Sequence, residues 1–282
     1  MCVARRGSPE ANAEQIGAPR AEAVAERFAL GSMAVATALV MGFFTPAQAQ
    51  EDVVTNGGGW SFGLTPYVWF ASLKGDVATL AGLPPVSVDA DFGDIIENTD
   101  IALMLAAEAR RGPFGILADL SYLALSADGN TPGPLFGDAE ADTSTVFATV
   151  AGFYRVLAHQ RVSLDALAGA RVWYVDTEID LSAGLLPARS VQDHEVWADP
   201  VIGLRWRTLL GRGFFFAGAA DVGGFGVASD FTWQLLGTLG YRFNDWFSGR
   251  AGYRHLDVDY ENDGFVWDVE LSGPLVGATF RF

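Results

Sequence analysis

After about residue 60, apolar and polar residues alternate one for one over most of the chain, and short polar turns interrupt the alternation. A period of two is the mark of a strand with two unlike faces. Ten such segments are predicted. Over about 60–73, Trp60, Phe62, Leu64 and Val68 alternate with Ser61, Gly63 and Thr65, and Pro66 on the apolar face predicts a bulge. Over about 99–111, Ile101, Leu103, Leu105 and Ala107 oppose Glu108 and Arg110; over 114–126, Phe114, Ile116, Ala118, Leu120 and Tyr122 oppose Asp119 and Ser121. Over 143–157, Val146, Ala148, Val150, Tyr154 and Val156 oppose Thr149 and Arg155. The fifth segment, about 161–178, is the most regular: Val162, Leu164, Ala166, Ala168, Ala170, Val172 and Tyr174 against Arg161, Ser163, Asp165, Gly169 and Arg171.

The sixth, about 195–209, sets Ile202, Leu204 and Trp206 against Asp199, Arg205 and Arg207. The seventh, about 213–226, sets Phe214, Phe216 and Val222 against Asp221. The eighth, about 230–243, sets Trp233, Leu235, Leu239, Tyr241 and Phe243 against Thr232, Gln234, Thr238 and Arg242. The ninth, about 246–260, sets Phe247, Ala251 and Tyr253 against Arg250 and Arg254. The tenth, about 264–282, begins with Phe265, Trp267, Val269 and Leu271 outward and Asp268 and Glu270 inward. Beyond Ser272-Gly273-Pro274 its apolar residues become even-numbered. A slip of one residue flips every side chain, so a bulge is predicted near Gly273-Pro274.

The connections near 112, 159, 211 and 244 are short, and those spanning roughly 74–98, 127–142, 179–194 and 257–263 are longer; Gly226-Val227-Ala228-Ser229 is the exception. Short turns at one end and long loops at the other are the pattern of a membrane barrel. Aromatics gather beside the short turns (Trp60, Phe62, Phe114, Tyr154, Trp206, Phe214, Tyr241, Phe243, Phe247, Phe280 and Phe282), as at a bilayer interface. The segment GPLVGATFRF at 273–282 would be an aggregation hazard as a free edge, whereas in a closed barrel both its edges are paired. The expectation is an all-β fold: a closed antiparallel up-and-down transmembrane β-barrel of ten strands, with eight or twelve as alternatives. The rival, a soluble β-sandwich or lipocalin-like barrel, would expose the charged face. Here that face is rich in Arg and Gly and free of Lys, which suits a confined lumen.

Composition agrees. Half of the 282 residues are hydrophobic, with 8 Trp and 20 Phe, yet after residue 50 nothing approaches the ~18 apolar residues of a helical span. Phe28–Phe44 is a 17-residue apolar run, short for a membrane span, preceded by Arg20 and Arg27 and followed by Thr45-Pro46-Ala47-Gln48-Ala49. That is a secretory signal cut after Ala49, so 1–49 is read as a leader and 50–282 as the barrel, exported to a bacterial outer membrane. The one cysteine, Cys2, lies in the leader, which leaves no disulfide or thiolate site in the mature chain. The net charge of −16 argues against nucleic acid as a partner.

The inward charges are the candidate site: Glu108, Arg110, Asp119, Arg155, Asp165, Arg171, Asp199, Arg205, Arg207, Asp221, Arg242, Arg250, Arg254, Asp268 and Glu270, with Arg161 and Arg281 beside them. A barrel of about eight strands is just filled by its own side chains. The expected state is therefore a lumen plugged by Arg–carboxylate pairs, with a structural or interaction role; the alternative is a narrow diffusion pore for small solutes. Acids crowd the longer connections, as in Asp257-x-Asp259-x-Glu261-x-Asp263, but without the spacing of a calcium loop, so no metal and no cofactor is expected. Of the three histidines, His159 falls on a short turn, while His194 and His255 fall at the other end beside carboxylates. A His–carboxylate pair can serve as a general base, yet no nucleophile constellation surrounds either. No enzyme is expected, and an outer-rim hydrolase is the lesser alternative.

The signal, the alternating strands and the terminal Phe resemble the small outer-membrane β-barrel proteins of Gram-negative bacteria, porin-like and of the OmpA/OmpW type. Trp60–Leu73 (WSFGLTPYVWFASL), Asp221–Trp233 (DVGGFGVASDFTW), Gly252–Tyr260 (GYRHLDVDY) and the closing GPLVGATFRF carry the resemblance to a largely uncharacterised subgroup. It implies that Phe280 and Phe282 act as a signal to the barrel-assembly machinery, and that membrane lipid and lipopolysaccharide are partners. No peptidoglycan-binding domain follows the barrel, so no cell-wall tether is expected. Such a fold does not fix an activity.

Overall fold

The structure is a computed structural model that describes residues 59–79, 85–130 and 135–282. The expected leader, 1–49, lies outside the described residues. The elements are β1 (Ser61–Trp69), β2 (Ser72–Ala78), β3 (Val86–Ala90), α1 (Phe92–Glu97), β4 (Thr99–Arg111), β5 (Phe114–Asn130), β6 (Phe136–Ala158), β7 (Val162–Ala183), β8 (Arg189–Gly211), β9 (Phe214–Gly223), β10 (Phe231–Arg242), β11 (Phe247–Asn262) and β12 (Phe265–Arg281).

Strand β1 pairs with β4, each strand from β4 to β12 pairs with the next, and β12 returns to β1, always antiparallel. This is the expected closed ten-strand transmembrane barrel, with β2 and β3 added at one end. Closure gives every wall strand two partners, the condition for crossing hydrocarbon without unpaired backbone groups. At the seam Gly63 faces Arg281 and Trp69 faces Leu275. The Phe62 N–H donates to the Phe282 carbonyl (3.1 Å), and the Phe282 N–H donates back to Phe62 (3.0 Å).

Neither predicted bulge exists. Pro66 stays in register opposite Leu105. Strand β12 runs along β11 from Asn262↔Phe265 to Phe247↔Phe280 without a shift, and Pro274 faces Tyr253. Strand β2 also keeps β1's register on β12, from Trp69↔Leu275 to Ser72↔Ser272. The Gly-Pro pair instead permits a close approach at the seam. A Cβ on Gly273 would sit 2.0 Å from the Phe70 carbonyl oxygen. Pro274 lacks an N–H but its carbonyl accepts from the Phe70 N–H (2.8 Å), and Trp69 Nε1 donates to the Gly273 carbonyl (3.2 Å).

What changes along β12 is chemistry, not phase. Its odd residues face the lumen throughout, so Phe265, Trp267 and Val269 are buried inside. Asp268 and Glu270, expected in the lumen, lie on the outer face instead. The same inversion runs round the wall. On β7 the outward row is apolar from Val162 to Tyr174 and then becomes Asp176, Glu178 and Asp180, while the inward row passes from Ser163, Asp165 and Arg171 to Trp173 and Val175. On β11 the inward row passes from Ser248, Arg250 and Arg254 to Leu256, Val258 and Tyr260. From Val162 to Tyr174 a strand covers about 40 Å, which at the usual ~40° tilt is about 30 Å, the thickness of a hydrocarbon core. Above that height the outer face meets water and the inner face becomes an ordinary protein core.

The segments read as long loops are therefore mostly wall. Strand β5 extends to Asn130, β6 begins at Phe136, β7 runs to Ala183 and β8 begins at Arg189. The stretch 74–98 holds the rest of β2, then β3 and α1. Strand β4 meets β1 only from Ser61 to Pro66; above that, β3 and α1 lie beside β2, and the Phe70 and Phe92 rings meet edge-on at 4.8 Å. At the short-turn end the expected aromatics form ring-to-ring contacts: Phe114–Tyr154 at 4.9 Å, Phe214–Tyr241 at 4.8 Å, Tyr241–Phe243 at 5.0 Å and Phe247–Phe280 at 5.4 Å. Phe114 is 62% exposed, a cost in water that contact with lipid removes.

Candidate functional site: a lumen in three layers

The upper layer is aromatic. Trp69, Phe147, Trp173, Trp197, Tyr260, Phe265 and Trp267 form one buried cluster with Val175, Leu256, Val258, Val269 and Leu275. Trp197 stacks on Tyr260 at 4.1 Å and on Trp173 at 5.6 Å; Trp173 meets Phe147 at 4.9 Å. Trp173 is 0% exposed. The phenol of Tyr260 donates to Glu195 Oε1 (2.6 Å), and burial, with that carboxylate second, pushes its pKa well above the usual range. The turn between β9 and β10 completes this layer from above. Ser229, fully buried, donates through its N–H and Oγ to Asp199 (2.8 and 2.7 Å) and accepts from Trp197 Nε1 (3.1 Å). The bend that leaves β9 uses positive φ at Gly224, Phe225 and Gly226.

The middle layer is ionic. Arg171 Nη2 bonds Asp221 Oδ1 at 2.7 Å, and its other nitrogens donate to Thr149 (3.1 Å) and Thr232 (3.2 Å). Gln234 Nε2 donates to the second Asp221 oxygen (2.9 Å). Arg254 donates to Asp119 (3.1 Å), Tyr67 (2.8 Å) and Gln234 Oε1 (2.6 Å), and its guanidinium lies 4.8 Å from the Trp69 ring centre. Buried polar groups this fully partnered are rigid.

The lowest layer is a vestibule of about 630 Å³ toward the short-turn end. One wall is paired: Arg155 forms a two-bond fork with Asp165 (2.7 and 3.2 Å), and Arg205 bridges Asp165 (2.9 Å) and Glu108 (2.8 Å). The other wall carries Arg207, Arg242, Arg250 and Arg281. Among the described residues none of these four makes an ion pair.

The structure thus brings together every predicted lumen charge except Asp268 and Glu270. Glu270 instead meets His255 Nδ1 on the outer face (3.4 Å), where the His255 ring lies 4.4 Å from Trp233. His194 also points outward, its ring 6.3 Å from Tyr174, and His159 sits in the β6–β7 turn. The outward row continues with Asp257 and Asp259. Partial burial, the adjacent carboxylates and, for Asp259, Asp230 and Glu261 raise both pKa values, while His255 opposes the shift at Asp257. The aromatic plug was missed, although a signal for it existed: Phe147, Trp173 and Trp197 share parity with the lumen residues Thr149, Arg171 and Asp199.

No family model matches the chain, and no curated protein matches it. Among solved structures it is similar to the outer membrane protease OmpT from Escherichia coli, at 10% identity over 83% of this chain and 100% of that one, with a TM-score of 0.49. It is also similar to Ail, the attachment invasion locus protein of Yersinia pestis (14% identity, 80% and 100% covered, TM-score 0.33), and to the Pseudomonas putida toluene transporter TodX (12% identity, 81% and 89% covered, TM-score 0.32). These TM-scores fall below 0.5, and the likenesses carry no inference for this chain.

Proposed function

We propose that the protein is an integral outer-membrane β-barrel with a closed lumen and a structural or interaction role. The observation that carries this reading is the stacking of the two upper layers: the Arg171–Asp221 and Arg254–Asp119–Tyr67 network, roofed by the Trp69–Trp173–Trp197 cluster. The exposed apolar band with its aromatic girdle supports insertion in lipid. The short-turn end is assigned to the periplasm, and the acidic wall above the band to the cell exterior, beside lipopolysaccharide. His194 and His255 face outward from the wall, away from the lumen, which disfavours the hydrolase alternative. The vestibule keeps a narrow pore as the second reading, because it crosses part of the barrel before the ionic layer stops it. Swelling of proteoliposomes in small sugars and amino acids separates the two: a closed lumen gives the rate of empty vesicles, and swelling that scales with protein content rejects it.

A further inference from the structure

Arg207 on β8, Arg242 on β10, Arg250 on β11 and Arg281 on β12 place four guanidiniums on one wall of the vestibule. Arg207 lies within electrostatic reach of the other three. Of the carboxylates that line the vestibule, Glu108 is held by Arg205 (2.8 Å), Asp165 is shared by Arg155 and Arg205, Asp221 and Asp119 are taken by Arg171 and Arg254, and the exposed Asp245 forms no ion pair among the described residues. What the four find inside the chain is weak: Arg250 donates to Thr279 Oγ1 (2.7 Å), which is within hydrogen-bond distance of Thr65 Oγ1 (2.8 Å), and Arg207 lies 3.9 Å from the centre of the Phe215 ring. Arg207 Nη2 and Arg250 Nε are buried with no acceptor at all. Buried cations normally carry a partner. Four half-buried guanidiniums with no ion pair among the described residues, two of them with a buried nitrogen that finds no acceptor, at the edge of a cavity large enough for a small solute, make a site whose acceptor comes from outside the chain.

We propose that this wall of the vestibule binds a small oxyanion, a phosphate or phosphomonoester group, entering from the short-turn end. Guanidinium forks match the geometry of phosphate oxygens. The upper two layers make the pocket blind, so the anion is held rather than conducted. This goes beyond the closed-barrel reading, since a binding pocket and a sealed roof are separate properties.

The test is calorimetric titration of the refolded full chain with sodium phosphate, at ionic strength matched with sodium chloride, in detergent and in phosphatidylcholine nanodiscs. Wild type is expected to give saturable heat. Arg207→Gln and Arg250→Gln are each expected to weaken binding about tenfold or more, the scale of a lost charged hydrogen bond, while Arg189→Gln, on the opposite end of β8, leaves it unchanged. Heat-modifiable migration on a gel reports folding of each variant; if one fails to fold, wild type and the other variant decide. Phosphate binding in nanodiscs assigns a free solute. Heat seen only with short-chain phosphatidic acid assigns a lipid headgroup to the same site. Absence of saturable heat with both probes overturns the proposal, and so does binding that survives Arg207→Gln and Arg250→Gln at wild-type strength.

Discussion

Asp221→Ala removes the one carboxylate that bonds Arg171 among the described residues. The Arg171 side chain is 0% exposed and that of Asp221 6%, and their atoms meet at 2.7 Å. At an effective dielectric near 20, that separation is worth about 6 kcal/mol of gross attraction. Desolvation of both ions offsets part of it, and the loss on breaking a buried pair is about 3–5 kcal/mol. Arg254, itself a cation, stands within reach of the stranded Arg171 and sharpens the penalty. Thr149 and Thr232 remain as neutral acceptors, which keeps the barrel assembled. The double change Arg171→Met with Asp221→Leu leaves no orphan charge, so it is expected to be neutral or to stabilise by up to about 4 kcal/mol. The assay is urea unfolding of protein refolded into vesicles, followed by tryptophan fluorescence. A cost below about 1 kcal/mol for Asp221→Ala, the value of a solvated pair, would show that water reaches this height and would refute the dry middle layer.

Trp173→Ala, at the centre of the roof, should cost about 3–5 kcal/mol in the same assay, the range for a large aromatic lost from a packed core. Gly273→Val should destabilise the seam by about 1–3 kcal/mol or more through overpacking against Phe70, read as heat-modifiable migration at a lower temperature. The outward acids give a pH signature. Asp257 and Asp259 have raised pKa values in the fold, so the stability they contribute is present in full below the ordinary carboxylate range and is lost as pH rises through the raised values. Asp259→Asn should therefore stabilise the protein at neutral pH and change nothing below about pH 3, as urea midpoints across that range would show.

The part of the fold that meets lipid was legible in the sequence because lipid imposes a strict rule: outward residues apolar, inward residues polar. Rows such as Val162–Tyr174 on β7 and Phe247–Tyr253 on β11 obey it and fix strand number, facing and most lumen charges. Above the hydrocarbon the rule reverses while the period stays at two. A period carries no label for which face is inside, so Trp267 and Val269 read as outward and Asp268 and Glu270 as inward. The reversal at Gly273-Pro274 looked like a bulge, because an inversion of chemistry and a slip of register leave the same trace in a sequence. Ion pairing across the barrel, such as Arg205 with Glu108, was beyond sequence reasoning, since partners 97 positions apart meet only once closure sets the register.

The central claim, a lumen sealed by the ionic layer and its aromatic roof, is tested most directly by planar-bilayer recording of the refolded wild-type protein. The account predicts a bilayer without discrete conductance steps after insertion. Reproducible steps from wild type, with their size altered by Arg205→Gln or Arg207→Gln, would contradict it.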